Sequence, residues 1–259
     1  MGHTRLGRLP KTLRWREVVE LLALSPEDTP GLAAGVVRAA DGRLQELAVD
    51  RSLTYCFWLL SRIAWASRGA DFRGELSRLG IATESDTPVL TFIARLSEHV
   101  RRELAGDTAS GHFTELASLA LRRALTDTVG EQGPSLFGNS VEDLQLAFRK
   151  QSIRQQFGSL SRRFFGDFLS RLLRSAIERE LSHHVAPTLA LSTLSESREV
   201  TQALDLYARQ SARIVEDFAG GWYSKENWET RGEISFDDAG RFVAVALRKL
   251  RMELKLGSA

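Results

Sequence analysis

Apolar residues recur every three to four positions along nearly the whole chain, and almost nothing alternates with period two over strand length. The pattern predicts helices throughout. Trp15 to Leu24 reads as a short amphipathic helix stopped by Ser25-Pro26. Thr29-Pro30 reads as an N-cap followed by proline in the first helical position, opening a helix to about Leu47 that weakens near Asp41-Gly42. Residues 50 to 67 are apolar on nearly every face, the mark of a central helix surrounded by others. Thr87-Pro88 repeats the cap-plus-proline signature, and Val89, Ile93, Leu96, Val100 and Leu104 form one stripe after it. Residues 112 to 129 carry a similar stripe, from Phe113 to Leu125.

Gly130, Gly133 and Pro134 then interrupt the pattern, either as an interhelical loop or as a boundary between two halves near residues 130–140. Ser140 with Asp143 is a capping signal for a helix to about Gln155. The longest segment runs from Phe157 to Val185, rich in phenylalanine, and Pro187 ends it. Spacing from Val200 to Phe218 predicts the next helix, starting near Ser195 or Ser197. Ser235 with Asp238 caps the last one, lined from Ala239 to Leu254. The expected fold is all-α, a single compact domain of about eight helices around residues 52–67.

The stretch EDFAGGWYSKENWET, residues 216 to 230, is read as the end of the helix bearing Phe218. Gly220-Gly221 is a strong stop signal, because glycine takes the left-handed conformation at little cost. The aromatics after it either clamp back onto the bundle or form a rim for a protein partner. Trp222, Tyr223, Lys225 and Trp228 are the candidate contacts, since tryptophan and tyrosine are common interface anchors.

Composition changes this picture little. The chain has 259 residues, 43% hydrophobic and 26% charged, enough to bury a core without staples. Cys56, the single cysteine, excludes an internal disulfide and fits a reducing cytoplasmic setting. No secretory signal is visible at the start, and SLTYCFWLLSRIAWAS, residues 52 to 67, is too short to span a bilayer and carries Arg62. Stable membrane insertion is therefore not expected.

Charge distribution matters more. The net charge of +2 conceals +5 over residues 1 to 16 and +6 over residues 148 to 179, so the remainder sums to −9. Arg149, Lys150, Arg154, Arg162, Arg163, Arg171 and Arg174 form the candidate contact surface for nucleic acid or an acidic partner. The spacing 163, 167, 170/171, 174 puts the later ones on one helix flank, opposite the phenylalanines.

Catalytic signatures are missing. The sequence holds no GxxxxGK[ST], GxGxxG, HExxH, CxxC or GxSxG. His183 and His184 are neighbours on a helix and diverge by about 100°, so they do not share a metal easily. Glu253-Leu254-Lys255 matches a nuclease fragment but sits on a helix instead of a strand. Glu226, Glu229, Glu233, Asp237 and Asp238 form an acidic cluster that reads first as a solvated approach to a helix N-terminus. No catalytic residue, metal or cofactor is expected.

TRLGRLP near the start and FAGGWYSKEN near the end resemble bacterial accessory proteins of phage-defence operons, without identifying a family. The resemblance implies a non-enzymatic subunit of a multiprotein assembly, working through protein and polyanion contacts. The alternative expectation is a DNA- or RNA-binding protein using residues 149–174 and the basic N-terminal arm.

Overall fold

Several helix starts in this protein are fixed by short polar side chains that take up otherwise unpaired N–H groups. Asp50 accepts from Ser52 N at 2.8 Å, Asp71 from Gly74 N at 2.9 Å and Ser140 from Asp143 N at 3.1 Å. Ser235 and Asp238 satisfy each other's backbone N–H groups, both at 3.1 Å, as a full capping box. Each such cap contributes about 1 kcal/mol. Two expected caps move. Asp28, rather than Thr29, accepts from Gly31 N at 3.0 Å. Thr87 instead accepts from Glu84 N at 3.0 Å, and its helix begins from Pro88 without a side-chain cap.

The computed structural model describes residues 13–24, 28–47, 50–106, 111–130, 140–184 and 194–257. Among these residues all regular structure is helical. The order is α1 (Leu13–Leu24), α2 (Thr29–Ala39), α3 (Asp41–Glu46), α4 (Arg51–Ala66), α5 (Phe72–Arg78), α6 (Val89–Leu104) and α7 (Gly111–Leu125). Then come α8 (Val141–Gln151), α9 (Arg154–His184), α10 (Leu194–Ser211), α11 (Arg213–Thr230) and α12 (Phe236–Gly257). A π-helical turn, Thr126–Gly130, extends α7. The helices are more numerous than the expected eight because several expected segments are broken. The segment from Ser140 ends at Gln151, the one through Val200 breaks at Ala212, and the short α5 had no assignment. The candidate boundary at 130–140 and the stop at Pro187 lie mostly or wholly outside the described residues.

Buried apolar side chains form one continuous cluster from Trp15 to Leu254. Its centre is shared. The expected central helix α4 is buried and packs on α12 and α7, while α9 packs on α11, α10 and α7. Phe57 of α4 joins them. Its ring lies 4.5 Å from Phe242 of α12, stacked, and 5.3 Å from Trp222 of α11. Phe157 and Phe165 of α9 lie 5.9 and 5.6 Å away. Aromatic pairs at these separations add to the area they bury.

Asp41, only 6% exposed, ties the ends of the described chain together. Arg251 binds its carboxylate with two nitrogens, Lys255 approaches to 3.4 Å and Arg14 to 3.7 Å. The hydrogen bond from Arg251 holds the Asp41 pKa below the usual carboxylate value, against the opposing effect of burial. A depressed folded-state value stabilises above the unfolded pKa, near 4, and the gain is lost as pH falls through the folded value. Asp41→Asn is therefore expected to melt below the native protein at pH 7, and the gap should narrow below about pH 4. Thermal melts across pH check this. An equal gap at pH 7 and pH 2 would remove the ion-pair account.

Candidate functional site

Ser159, Arg163, Gly166, Ser170 and Arg174 follow one another at spacings of three and four along α9, forming a polar strip. The opposite side of this helix is taken by Phe157, Phe164, Phe165 and Phe168, all buried. Helices α7 and α10 both pack against α9. Together they leave a cleft of about 750 Å³ over the polar strip. The end of α7 contributes Arg123, Ala124 and Asp127, and α10 contributes Asp205 and Arg209. Among the described residues of the lining, six arginines (123, 162, 163, 171, 174 and 209) face three aspartates, an excess of three positive charges.

The aspartates organise part of this set. Asp127 accepts from Arg123 Nε at 2.9 Å and Asp167 from Arg171 Nε at 2.5 Å. Asp205 accepts from Arg174 Nε at 3.0 Å, with a second bond from the same guanidinium and one from Ser170 Oγ. Glu216 of α11 accepts from Arg162 at 2.8 Å. Exposed pairs of this kind contribute under about 1 kcal/mol each to folding. Their larger consequence is geometric. A guanidinium has five N–H donors, so a carboxylate on Nε fixes the group and leaves terminal N–H groups for another acceptor. Arg163 and Arg209 make no ion pair among the described residues.

The seven basic residues expected to act together are divided by the fold. Arg162, Arg163, Arg171 and Arg174 line the cleft. Arg149 and Lys150 are exposed at the end of α8 and do not line it. Arg154 begins α9 about 180° around the helix from Arg163 and packs against Gly220 instead. Most of the basic N-terminal arm lies outside the described residues. Arg123 and Arg209, with Asp127 and Asp205, were not among the expected site residues. The single local sign was the i, i+4 pairing of Arg123 with Asp127.

The aromatic stretch is corrected more deeply. Helix α11 runs without a break through Gly220-Gly221. The glycines face α9: a Cβ on Gly220 would strike the Arg154 carbonyl oxygen, and one on Gly158 would lie 2.8 Å from the Glu216 carbonyl oxygen. Close approach to α9, and no turn, is the role of Gly220. The left-handed terminus lies eleven residues on, at Arg231 and Gly232, with φ of 53° and 88°. Gly232 N bonds to Asn227 O at 3.0 Å there, as in a Schellman ending. Trp222 consequently packs on Phe57 and Phe242, and Tyr223, 1% exposed, stacks on Phe157 at 3.9 Å. Tyr223 is therefore not available at a rim, and Trp222 is half-buried. Lys225 is exposed and pairs with Glu229 at 3.7 Å, and Trp228 is 86% exposed.

Other candidates offer less chemistry. The acidic residues 226–238 span the end of α11, its connection and the start of α12. Burial, then Asp238 and Glu229, raise the Glu226 pKa, while Asp238 is held low by its bond from Ser235. No His, Cys, Asp and Glu grouping able to hold a metal occurs among the described residues. A second cavity of about 440 Å³ lies beside His99, which meets Tyr55 Oη at 3.0 Å and whose pKa burial lowers. No described helix is long and apolar enough to cross a membrane. Comparison with protein-family models, with curated proteins and with solved structures gives no match.

Proposed function

We propose that this protein binds nucleic acid through its phosphates, using the arginine cleft between α7, α9 and α10. The observation that supports this most is the lining of six arginines against three aspartates, set in a cleft instead of spread over a convex face. Each phosphate neutralised by such a group releases counterions, so binding gains strength as salt falls. A cytoplasmic setting fits the buried, unpaired thiol of Cys56.

The test is charge reversal. Arg163, Arg171 and Arg174 changed together to Glu are expected to abolish binding to DNA and RNA at low salt, with the melting curve within a few degrees of native. Fluorescence anisotropy against a salt series measures it. Unchanged binding by the triple variant removes the cleft from the function.

A second reading is a non-enzymatic subunit of a bacterial multiprotein assembly, the phage-defence kind that the sequence resembles. Trp228 favours it, since an 86% exposed tryptophan is a usual interface anchor. Trp228→Ala is expected to change stability by less than about 0.5 kcal/mol, as surface substitutions do. In a pull-down of the native complex it should lose the partner. Retention of the same partner by the variant would count against this reading.

A further inference from the structure

We infer that Arg163 and Arg209 form a phosphate clamp, taking a phosphate group whatever it is attached to. This rests on the cleft reading and adds which two side chains hold the anion and what they recognise.

The clamp follows from how α9 meets α10. A Cβ on Gly166 would lie 3.3 Å from Ala212 Cβ and 3.7 Å from Arg209 Cα, so the missing side chain lets the two helices close here. Arg163 stands one turn before Gly166 on the same helix. Arg163 and Arg209 thus stand on two helices that meet here, and both line the cleft. Neither has an ion pair among the described residues, whereas Arg123, Arg162, Arg171 and Arg174 each have a carboxylate. An incoming anion displaces no internal partner from Arg163 or Arg209. Two like charges lining one cleft without a carboxylate partner favour an anion there.

The same lining tells what the clamp ignores. None of the described residues lining the cleft is aromatic. Single-strand binders that hold bases do so by stacking them on aromatic rings. Here the chemistry offered is guanidinium, hydroxyl and carboxylate. It fits phosphate oxygens, which arginine contacts through paired, charge-assisted N–H bonds. The phosphate can come from a nucleic-acid backbone or from a free polyphosphate, and the two are separated by experiment.

Isothermal titration with inorganic tripolyphosphate tests the clamp directly. The native chain is expected to bind it, and Arg163→Gln and Arg209→Gln should each weaken binding about tenfold. Arg248→Gln, outside the cleft, should leave it unchanged. All variants are checked by thermal melting. In parallel, 20-mers of dT and of dA are titrated by anisotropy. Similar affinities for both, and a salt slope lower by about one in each clamp variant, are expected. No binding of tripolyphosphate, or equal binding by the native chain and both clamp variants, overturns the clamp. A strong preference for one base overturns its indifference to what carries the phosphate. Binding of tripolyphosphate without any nucleic acid keeps the clamp, makes a free polyphosphate its ligand and sinks the nucleic-acid reading alone.

Discussion

Phe57→Ala is expected to cost about 3–5 kcal/mol, the range for removing a buried phenylalanine. For a domain whose whole stability is about 5–15 kcal/mol, that is a third or more of the total. The melting temperature should fall by about 10 °C. Phe57 is fully buried, and its ring touches partners on three other helices: Phe157 and Phe165 of α9, Trp222 of α11 and Phe242 of α12. Helix α11 also packs on both α9 and α12, so the hole cannot close by shifting one of them alone. Residual cavity volume is what makes such losses large. Calorimetry or circular dichroism against temperature measures the effect. A loss under about 1 kcal/mol would mean that the aromatic cluster does not hold α4 to α9, α11 and α12.

Gly220→Ala and Gly221→Ala are expected to differ in sign. Alanine is favoured over glycine in a helix interior by about 1 kcal/mol, so propensity alone predicts that both substitutions stabilise. At Gly221 the nearest group to a new Cβ is an Arg154 side-chain nitrogen at 3.6 Å, ordinary contact, and the gain should survive. At Gly220 the new carbon meets backbone, the Arg154 carbonyl oxygen, which cannot swing aside. Forcing α11 away from α9 costs about 1–3 kcal/mol or more, as overpacking does. Gly220→Ala should therefore lower the melting temperature by several degrees, and Gly221→Ala should hold or raise it. Two stabilising outcomes would show that α9 and α11 do not approach as closely as described.

This pair of glycines also shows where reading the chain stops being sufficient. Two glycines before a tryptophan satisfy the local rules for a helix terminus as well as the rules for a tight helix crossing. Whether another backbone lies against Gly220 is a property of Arg154, 66 positions earlier, which no local window contains. Once α11 continues, the positions after it rotate with the helix. Tyr223 turns inward onto Phe157, Trp222 is half-buried, and Lys225 and Trp228 stay exposed.

The cleft divides in the same way between what was legible and what was not. Heptad-like spacing separated the arginines of α9 from its phenylalanines, and the structure keeps that separation, with Arg163, Arg171 and Arg174 lining the cleft and Phe164, Phe165 and Phe168 in the core. Arg154 left the set because nine residues carry it about 180° around the helix, an angle the sequence contained. Arg123 and Arg209 could not be found this way, because they reach the cleft from α7 and α10.

The sequence by itself determined the all-helical class, the caps at Ser140 and Ser235, the burial of α4 and the phenylalanine face of α9. These follow from side-chain periodicity and from hydrogen bonds over three or four residues, which act within one segment. The tertiary structure alone decided where α11 ends, which aromatics are buried, which arginines face one another and which keep a counterion. Those outcomes depend on contacts between segments far apart in the chain, and their sign is set by distances of a few ångströms that no local pattern encodes.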